Sequence, residues 1–422
     1  MTTPLPPFPP KGGFIGAVNE SSRALRQRAG IEINHKKIKL LLTSGYFTST
    51  YARLRESHGM AMPLKFPSLL AELNLLSILS LLNFGSGYRV PLHVATGRGA
   101  FDNIRALVLG LYISSSTGTG EGNYLSATGM RDIKEHTIAD LMGVTDALHV
   151  EHAHESVPAV TVGELGGPIW ELVKLLTQAL NETGTVLVNS GYPDLGSFVL
   201  EALNEGDKLK NSAESVNHEC DVILERFVRA IPAFRDMAVV NGQPVYCFKK
   251  ALLAIHAIAL RFGSAESLSE IPIPRTSELP VFVDNVIPSI LVHLGIINLE
   301  DSTPSLGLRD LFPRGQDDST IRALLSEVPA APPADTRTTK DQEVPKEGPV
   351  LTSVQAFALR AAAIDASQAI IATARDLNAN EESYILKQIT LPELDAWLWS
   401  AAKDRPDWRN LERFVLRDTV YF

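Results

Sequence analysis

The sequence contains very little cysteine: Cys220 and Cys247 are the only two among 422 residues. Two thiols cannot build the disulfide framework of a small secreted protein or a four-thiolate metal site. Their sequence contexts carry no catalytic signature, so we interpret both as buried structural residues. Such usage is typical of a protein from a reducing compartment, and we predict a cytoplasmic location.

Long hydrophobic runs are also lacking. The most apolar stretch covers residues 69–82, is shorter than a bilayer span and contains Glu72 and Asn74. The N-terminal residues 1–13 are rich in proline and have no apolar core of a signal peptide. We therefore predict a buried helix at 69–82 and neither a membrane-spanning nor a secretory segment.

Basic residues are fewer than acidic residues. There are 39 Lys and Arg residues against 48 Asp and Glu, which gives a net charge of -9. Such a surface repels a polyanion, so direct binding of nucleic acid is not expected. A small molecule with one phosphate remains a suitable partner, because a local group of Lys or Arg side chains suffices to bind it. The sequence leaves the oligomeric state open.

Apolar residues at helical spacing dominate the rest of the chain, which predicts a mainly α protein. The best strand-like segment is residues 237–248, where Asn241-Gly242 predicts a minor β-hairpin. Residues 316–348 are rich in Pro, Thr and charge, which predicts a disordered or flexible insertion. The piece after this insertion is too short for a core of its own, so residues 1–422 are predicted to form one domain.

Two local patterns allow both a functional and a structural interpretation. The segment HVEHAHE at 149–155 contains three histidines, which could bind Zn²⁺, but a polar loop explains it equally well and HExxH spacing is absent. We predict no metal site. The segment TGRGAFDNIR at 96–105 could form a phosphate-binding nest or only the entry turn of a helix. Neither GxGxxG, GxxxxGK[ST] nor GxSxG occurs there.

Two carboxylates are candidate site residues. Asp284 lies where the N-cap of an apolar helix is expected, two residues after Phe282. It is either only a cap or a carboxylate held at a pocket, where it would stabilise a cationic transition state while an aromatic ring stacks on Phe282. Asp395 lies beside an aromatic stripe that indicates core packing, and the pattern leaves it as a surface or a ligand-binding carboxylate.

Several short motifs together resemble those of the queuosine salvage family in order and spacing. They are LNF at 82–84, LNETG at 180–184, GSF at 196–198, IPAFRDMAVVNGQPVYCFKKA at 231–251, VFVDNVIPSILVHLG at 281–295, LDAWLW at 394–399 and RDTVYF at 417–422. The likeness is strongest from about residue 181 onward. It implies a single, mainly α-helical domain that resembles DNA glycosylases, with at most a minor hairpin.

The resemblance also implies an activity and a set of residues. Members hydrolyse the N-glycosidic bond of queuosine 5′-phosphate and release queuine, with no metal or organic cofactor. The family's F-x-D motif matches Phe282, the base-stacking ring, and Asp284, the nucleophile or transition-state stabiliser. Its Tyr-Lys-Arg-Ala motif makes Lys249 the lysine near the ribose phosphate, and its L-D-Y-x-L-W-D motif makes Asp395 a base contact. A base-contacting histidine has one candidate, His58.

The chemistry suits these residue types. Breaking a ribosyl C–N bond builds positive charge on the sugar, which a nearby carboxylate stabilises or captures covalently. Queuine is a 7-deazapurine and lacks the N7 that purine hydrolases protonate, so the leaving base must be activated through other edges. Its secondary amine is cationic at neutral pH, and Asp395 could pair with it.

The chain departs from the family pattern at a few positions. Ala396 replaces a tyrosine, Ser400 replaces the final aspartate of that motif, and residues 85–88, Gly-Ser-Gly-Tyr, stand where relatives have bulky aromatics. These changes keep alternatives open: a non-catalytic paralogue that binds a nucleotide or deazapurine, or a glycosylase for a different modified nucleotide. A DNA or RNA glycosylase follows from fold analogy alone and conflicts with the net charge.

Overall fold

The computed structural model describes residues 5–55, 64–116, 122–154, 156–210, 218–263, 271–312, 317–327, 344–380 and 389–422. Within these ranges helices predominate, which confirms the mainly α class. The α-helices are Phe14–Arg28, His35–Leu42, Gly45–Leu54, Leu69–Leu81, Arg89–Thr96, Ala100–Ser116, Ala127–Asp132, Glu135–Met142, Gly167–Asn189, Leu195–Asp207, His218–Ala230, Lys249–Phe262, Val286–His293, Asp318–Leu325, Ser353–Asn380, Leu391–Asp404 and Pro406–Arg409. The described strands form two-stranded antiparallel sheets: Glu32–Ile33 with Ile297–Asn298, His149–His154 with Val157–Leu165, and Met237–Val240 with Gln243–Tyr246.

The helix Leu69–Leu81 lies at the centre of the fold, as its apolar sequence predicts. The Ser68 hydroxyl caps it by accepting the Ala71 amide, and the helix is buried from its second turn to its end. It packs against the helices Leu195–Asp207 and Lys249–Phe262. A helix that is apolar on all sides needs such neighbours on all sides, and they bring its C-terminal end next to the site described below.

One further property of this helix concerns membranes. Within the described ranges, no single helix is long and apolar enough to span a bilayer. In those ranges, only Leu69–Leu81 and Ser86–Thr96 taken together have the length and apolar composition of a span, and the two segments are bent by 65° relative to each other.

The two ends of the chain share one core. The long helix Ser353–Asn380 packs along Phe14–Arg28 near the N-terminus. Small residues such as Ala358 and Ala362 are fully buried in the long helix and allow close approach. The buried apolar residues of both ends belong to the same hydrophobic cluster as the central helix. The organisation as one domain stays a prediction, to which this shared core adds support.

The predicted hairpin is present at Met237–Val240 and Gln243–Tyr246. Its turn residues, Asn241 and Gly242, both have positive φ, as a two-residue hairpin turn that matches strand twist requires. The sequence did not predict the other two sheets. The segment at 149–154, interpreted as a polar loop, is instead an exposed strand paired with Val157–Leu165.

The segment 316–348, predicted to be a disordered or flexible insertion, is described only in part. Its described part contains the helix Asp318–Leu325 with Asp317 as its N-cap, which the composition did not indicate. Ile321, Leu324 and Leu325 are buried on one face of it, which gives this short helix a reason to fold. Residues 328–343 lie outside the described part of the chain.

Candidate active site

A cavity of about 480 Å³ lies where several helices start or end. Four helices contribute residues from their N-terminal parts: Arg89–Thr96, Ala100–Ser116, Lys249–Phe262 and Val286–His293. The helix Leu391–Asp404 contributes residues from its C-terminal half, and the short helix Pro406–Arg409 contributes both of its ends. The wall carries five basic side chains but only two carboxylates, Asp102 and Asp284. This positive surface occurs in a chain with a net charge of -9, so the charge is concentrated locally and suits an anionic ligand.

Asp284 reaches the cavity with one side-chain oxygen engaged. Its Oδ1 accepts the Val286 amide at 2.7 Å, but the N-cap of this helix is Asn285, so Asp284 lies one residue before the capping position. Among the described residues, the second oxygen receives no hydrogen bond. The side chain is 8% exposed and forms part of the cavity wall. A largely desolvated carboxylate oxygen without a donor is available for a developing positive charge on a ligand.

The backbone around Asp284 is held from both sides. The Phe282 amide donates to Asp395 Oδ1 at 2.6 Å, and the Val283 carbonyl accepts Arg360 Nε at 3.0 Å. The next residue, Asn285, donates its side-chain amide to the Phe414 carbonyl at 2.8 Å. These bonds come from three distant parts of the chain. They fix the position of the carboxylate before any ligand binds, which is what a preorganised site needs.

Lys249 lies at the start of its helix, on the cavity wall, and is buried. Its Nζ donates to the Asn83 carbonyl at 2.6 Å and to Asn83 Oδ1 at 2.9 Å. Burial lowers the pKa of Lys249 to about 8, although the nearby Asp284 charge acts in the opposite direction. Two of the three ammonium protons therefore hold Asn83 of the LNF motif in place, and the side chain remains close to Asp284.

A fully buried ion pair lies behind Lys249 and Asp284. Arg360 donates from both terminal nitrogens to Asp236, at 2.8 and 2.5 Å. The second oxygen of Asp236 also accepts the Lys249 amide at 3.1 Å. Arg360 thus connects the start of the Lys249 helix with the Val283 carbonyl. Sequence reasoning did not single out either partner, because no local pattern marks a pair 124 positions apart.

Phe282 and Asp395 do not belong to the described cavity wall. The Phe282 ring is 4% exposed and packs against His256, with ring centroids 5.4 Å apart. Asp395 points to the Phe282 amide. The described wall instead carries the rings of Phe84, Phe101, Trp399 and Phe422. Trp399, which belongs to the aromatic stripe beside Asp395, is partly buried and meets Phe101 edge to face, with ring centroids 5.6 Å apart.

We predict that Asp395 makes stability depend on pH. Burial, reinforced by the Asp284 charge, raises the pKa of Asp395 from 3.8 to about 7. The native state then keeps a proton that the unfolded state releases, so this group lowers stability as pH rises from about 4 to 7. An Asn side chain still accepts the Phe282 amide but does not ionise. Urea unfolding at pH 5 and pH 8 should therefore show Asp395→Asn gaining stability over wild type at the higher pH.

Asp395→Ala serves as the control for this experiment. It removes the acceptor of the Phe282 amide, so it should destabilise the protein at both pH values, by about 1–3 kcal/mol for a buried unpaired amide. A wild-type-to-Asn difference that is the same at pH 5 and pH 8 would contradict the role assigned to Asp395.

One departure from the family pattern, the glycines at 85 and 87, has a structural explanation. A Cβ on Gly87 would lie 2.1 Å from the Leu416 carbonyl oxygen, so the close C-terminal segment requires a glycine there. Gly85 has φ +96°, a backbone conformation that favours glycine. Ala396 and Ser400 are both buried and do not belong to the described cavity wall. The structure thus gives neither substitution a direct contact with a ligand in this cavity.

The remaining candidates are placed as follows. His58 lies outside the described residues. Gly99 and the first turn of the helix Ala100–Ser116 belong to the cavity wall, whereas Arg98 donates to the Met142 carbonyl at 3.4 Å. Both cysteines are buried and unpaired by disulfides. Across the described ranges no group of three or more His, Cys, Asp or Glu side chains is arranged to hold a metal ion.

These features define a mainly helical protein with a fixed carboxylate in a cation-rich cavity. Residues 168–325 match the family model described as queuosine salvage protein, and this range contains Lys249, Phe282 and Asp284. A curated queuosine 5′-phosphate N-glycosylase/hydrolase of Sphaerobacter thermophilus is 24% identical over 183 residues, which are 43% of this chain and 50% of the relative. The match spans about half the length of that relative. Together the two comparisons confirm the resemblance to the queuosine salvage family.

Proposed function

We propose that this protein hydrolyses the N-glycosidic bond of queuosine 5′-phosphate and releases queuine for salvage into tRNA modification. The observation that carries the proposal is Asp284, whose second carboxylate oxygen lies free on the wall of a cavity large enough for a nucleotide. The family resemblance supplies the substrate, and the small cation-rich cavity suits a nucleotide better than a folded RNA. A cytoplasmic location and the absence of nucleic-acid partners stay predictions.

In the proposed reaction the C1′–N bond breaks and its electron pair leaves with the base. Positive charge then develops on the ribose, and Asp284 stabilises it by Coulomb attraction or forms a glycosyl ester with C1′. Water supplies hydroxide to C1′, directly or by hydrolysis of that ester, and its other proton ends on the base. Lys249 keeps Asn83 and the start of its own helix in place beside the carboxylate.

The aromatic residues of the wall suit a flat base. Phe101 and Trp399 present a ring pair at 5.6 Å on the described wall, whereas Phe282 lies behind it. We propose that the base stacks on Trp399 or Phe101 and that Phe282 supports the loop of Asp284 from below. Asp395, through the Phe282 amide, acts in the same supporting way.

A chromatographic assay of free base tests the proposal. Wild-type protein is incubated separately with queuosine 5′-phosphate, with queuosine and with guanosine 5′-monophosphate, a control nucleotide that carries a different base. We expect queuine from the first substrate and no guanine from the third. Binding of queuosine 5′-phosphate without release would favour the non-catalytic paralogue, to which the loss of the motif aspartate at Ser400 also points. Release only from another modified nucleotide would favour the changed-substrate alternative.

A further inference from the structure

Four basic side chains form a group on one part of the cavity wall, which we call the cation cluster. Its members are Arg89, Lys403, Arg409 and Arg413. They come from the start of the helix Arg89–Thr96 and from the last thirty residues of the chain. In the part of the chain that the structure describes, none of the four forms a salt bridge with a carboxylate. Their positive charges are therefore not neutralised by the protein around them.

Arg413 has a buried hydrogen-bond donor that no described residue accepts. Its side chain is 8% exposed and one terminal nitrogen donates to the Ala402 carbonyl at 2.8 Å. Its Nε is buried and has no hydrogen-bond partner among the described residues. Burial, together with the charges of Arg89 and Arg409, lowers the pKa of Arg413 to about 9. Burying a charged donor without a partner is unfavourable, so a ligand that supplies acceptor oxygens gains affinity here.

The other members are oriented by backbone carbonyls. Arg89 donates to the Arg409 carbonyl at 3.0 Å, and Arg409 donates to the Lys403 carbonyl at 2.9 Å. Lys403 lies over the Trp399 ring, 3.1 Å from its centroid. These contacts fix directions without cancelling charge. The first turn of the helix Ala100–Ser116, whose amides have no partners within the helix, lies on the same wall.

The chemistry of this cluster selects a dianion with several acceptor oxygens. A phosphate monoester carries a charge of about -1.5 to -2 at pH 7 and three terminal oxygens, whereas a carboxylate has one charge and two oxygens. Three guanidinium groups supply the directional donors that phosphate accepts. Lys249 is less suited to this task, because its Nζ already donates twice to Asn83.

We propose that the cation cluster is the subsite for the phosphate monoester of the substrate. For the identity of the rest of the substrate this inference rests on the function proposed above. Asp284, Arg413 and Lys403 all line this same cavity. A ribose held by its 5′-phosphate at the cluster would therefore lie in the same cavity as the Asp284 carboxylate. The subsite makes the enzyme specific for the nucleotide over the nucleoside, and Lys249 serves the carboxylate rather than the phosphate.

Calorimetric titration with ribose 5-phosphate, and with ribose as the uncharged comparison, tests this assignment without any turnover. We expect wild-type protein to bind ribose 5-phosphate and ribose much more weakly. Arg409→Gln and Arg413→Gln should each weaken ribose 5-phosphate binding by about tenfold or more, as expected for a charge-assisted hydrogen bond. Arg413→Lys should recover part of the affinity. The matched control is Arg131→Gln, because Arg131 is 39% exposed and pairs with Asp132 outside the cavity.

Arg409 is exposed, so its replacement carries little risk for folding, and the melting temperature of each variant identifies any that fails to fold. Unchanged ribose 5-phosphate affinity in folded Arg409→Gln and Arg413→Gln would overturn the proposal. If the proposed function is wrong but the subsite is right, the result is different. No base is then released from the nucleotide, yet ribose 5-phosphate still binds through the two arginines. Conversely, equal release from nucleoside and nucleotide, insensitive to both variants, would refute the subsite and leave the glycosylase activity standing.

Discussion

Asp284→Asn should reduce release of queuine from queuosine 5′-phosphate by about a thousandfold, at the upper end of the loss seen when one preorganised electrostatic group is removed. The substitution keeps the shape of the side chain and an oxygen that can still accept the Val286 amide. It removes the negative charge that opposes the positive charge on the ribose. The unfolding free energy should therefore change by no more than about 1 kcal/mol, while turnover collapses.

Asp102→Asn is the matched control for this prediction. Asp102 is the other carboxylate of the described cavity wall, but its side chain is 51% exposed and lies 3.8 Å from Arg105. A carboxylate open to solvent stabilises a developing charge only weakly. We expect Asp102→Asn to retain turnover within about tenfold, and ribose 5-phosphate should bind both variants. Comparable turnover in the two variants would mean that Asp284 is only a cap.

Arg360→Met should be the most destabilising of the substitutions considered. It leaves the Asp236 carboxylate, which is 1% exposed, without its bidentate partner. Removing one member of a buried ion pair costs about 3–5 kcal/mol, because the remaining charge stays desolvated. That is a large fraction of the 5–15 kcal/mol typical of native proteins. Urea unfolding at pH 7 measures the loss directly.

The Arg53–Asp404 pair provides the comparison. It has the same bidentate geometry, with both distances 2.9 Å, but the Arg53 side chain is 60% exposed. Arg53→Met should cost at most about 1 kcal/mol, the usual range for a surface pair. If Arg360→Met were no more destabilising than Arg53→Met, the buried pair would not stabilise the fold as we infer.

Arg360 also has an expected effect on catalysis that a purely structural residue would not produce. Its Nε holds the Val283 carbonyl next to Asp284. In Arg360→Met protein that remains folded, kcat should fall while the affinity for ribose 5-phosphate stays unchanged, because the cation cluster lies on other segments. Equal losses in kcat and in ribose 5-phosphate affinity would indicate general disorder of the cavity instead of a misplaced carboxylate.

Local elements of the fold were predictable where local chemistry decides them. The apolar run at 69–82 formed the central helix, and Asn241-Gly242 formed the hairpin turn. At 318–325, composition did not indicate a helix, and burial of three apolar side chains against the rest of the protein accounts for the one that forms. Helices gain most of their stability from tertiary packing of one face, which local composition does not report.

The site was predictable only in part for the same reason. Motif spacing pointed to Asp284 and Lys249, and both line the cavity. It also pointed to Phe282 and Asp395 as base contacts. Both lie outside the described cavity wall and are joined by a hydrogen bond next to Asp284, and their contact with a base stays a prediction. Arg413 and its neighbours escaped notice, because single basic residues spread over three helices and the segment after the last helix form no pattern along a sequence.

The sequence by itself determined the helical class, the hairpin and the resemblance to the queuosine salvage family, since these depend on periodicity, turn chemistry and the order of short motifs. Tertiary structure alone decided which side chains face the cavity. Asp236 and Arg360 lie 124 positions apart in the sequence, and Arg89 and Arg409 of the cation cluster lie 320 positions apart. Their charges become significant only when packing removes water around them, and that desolvation is a property of the folded chain.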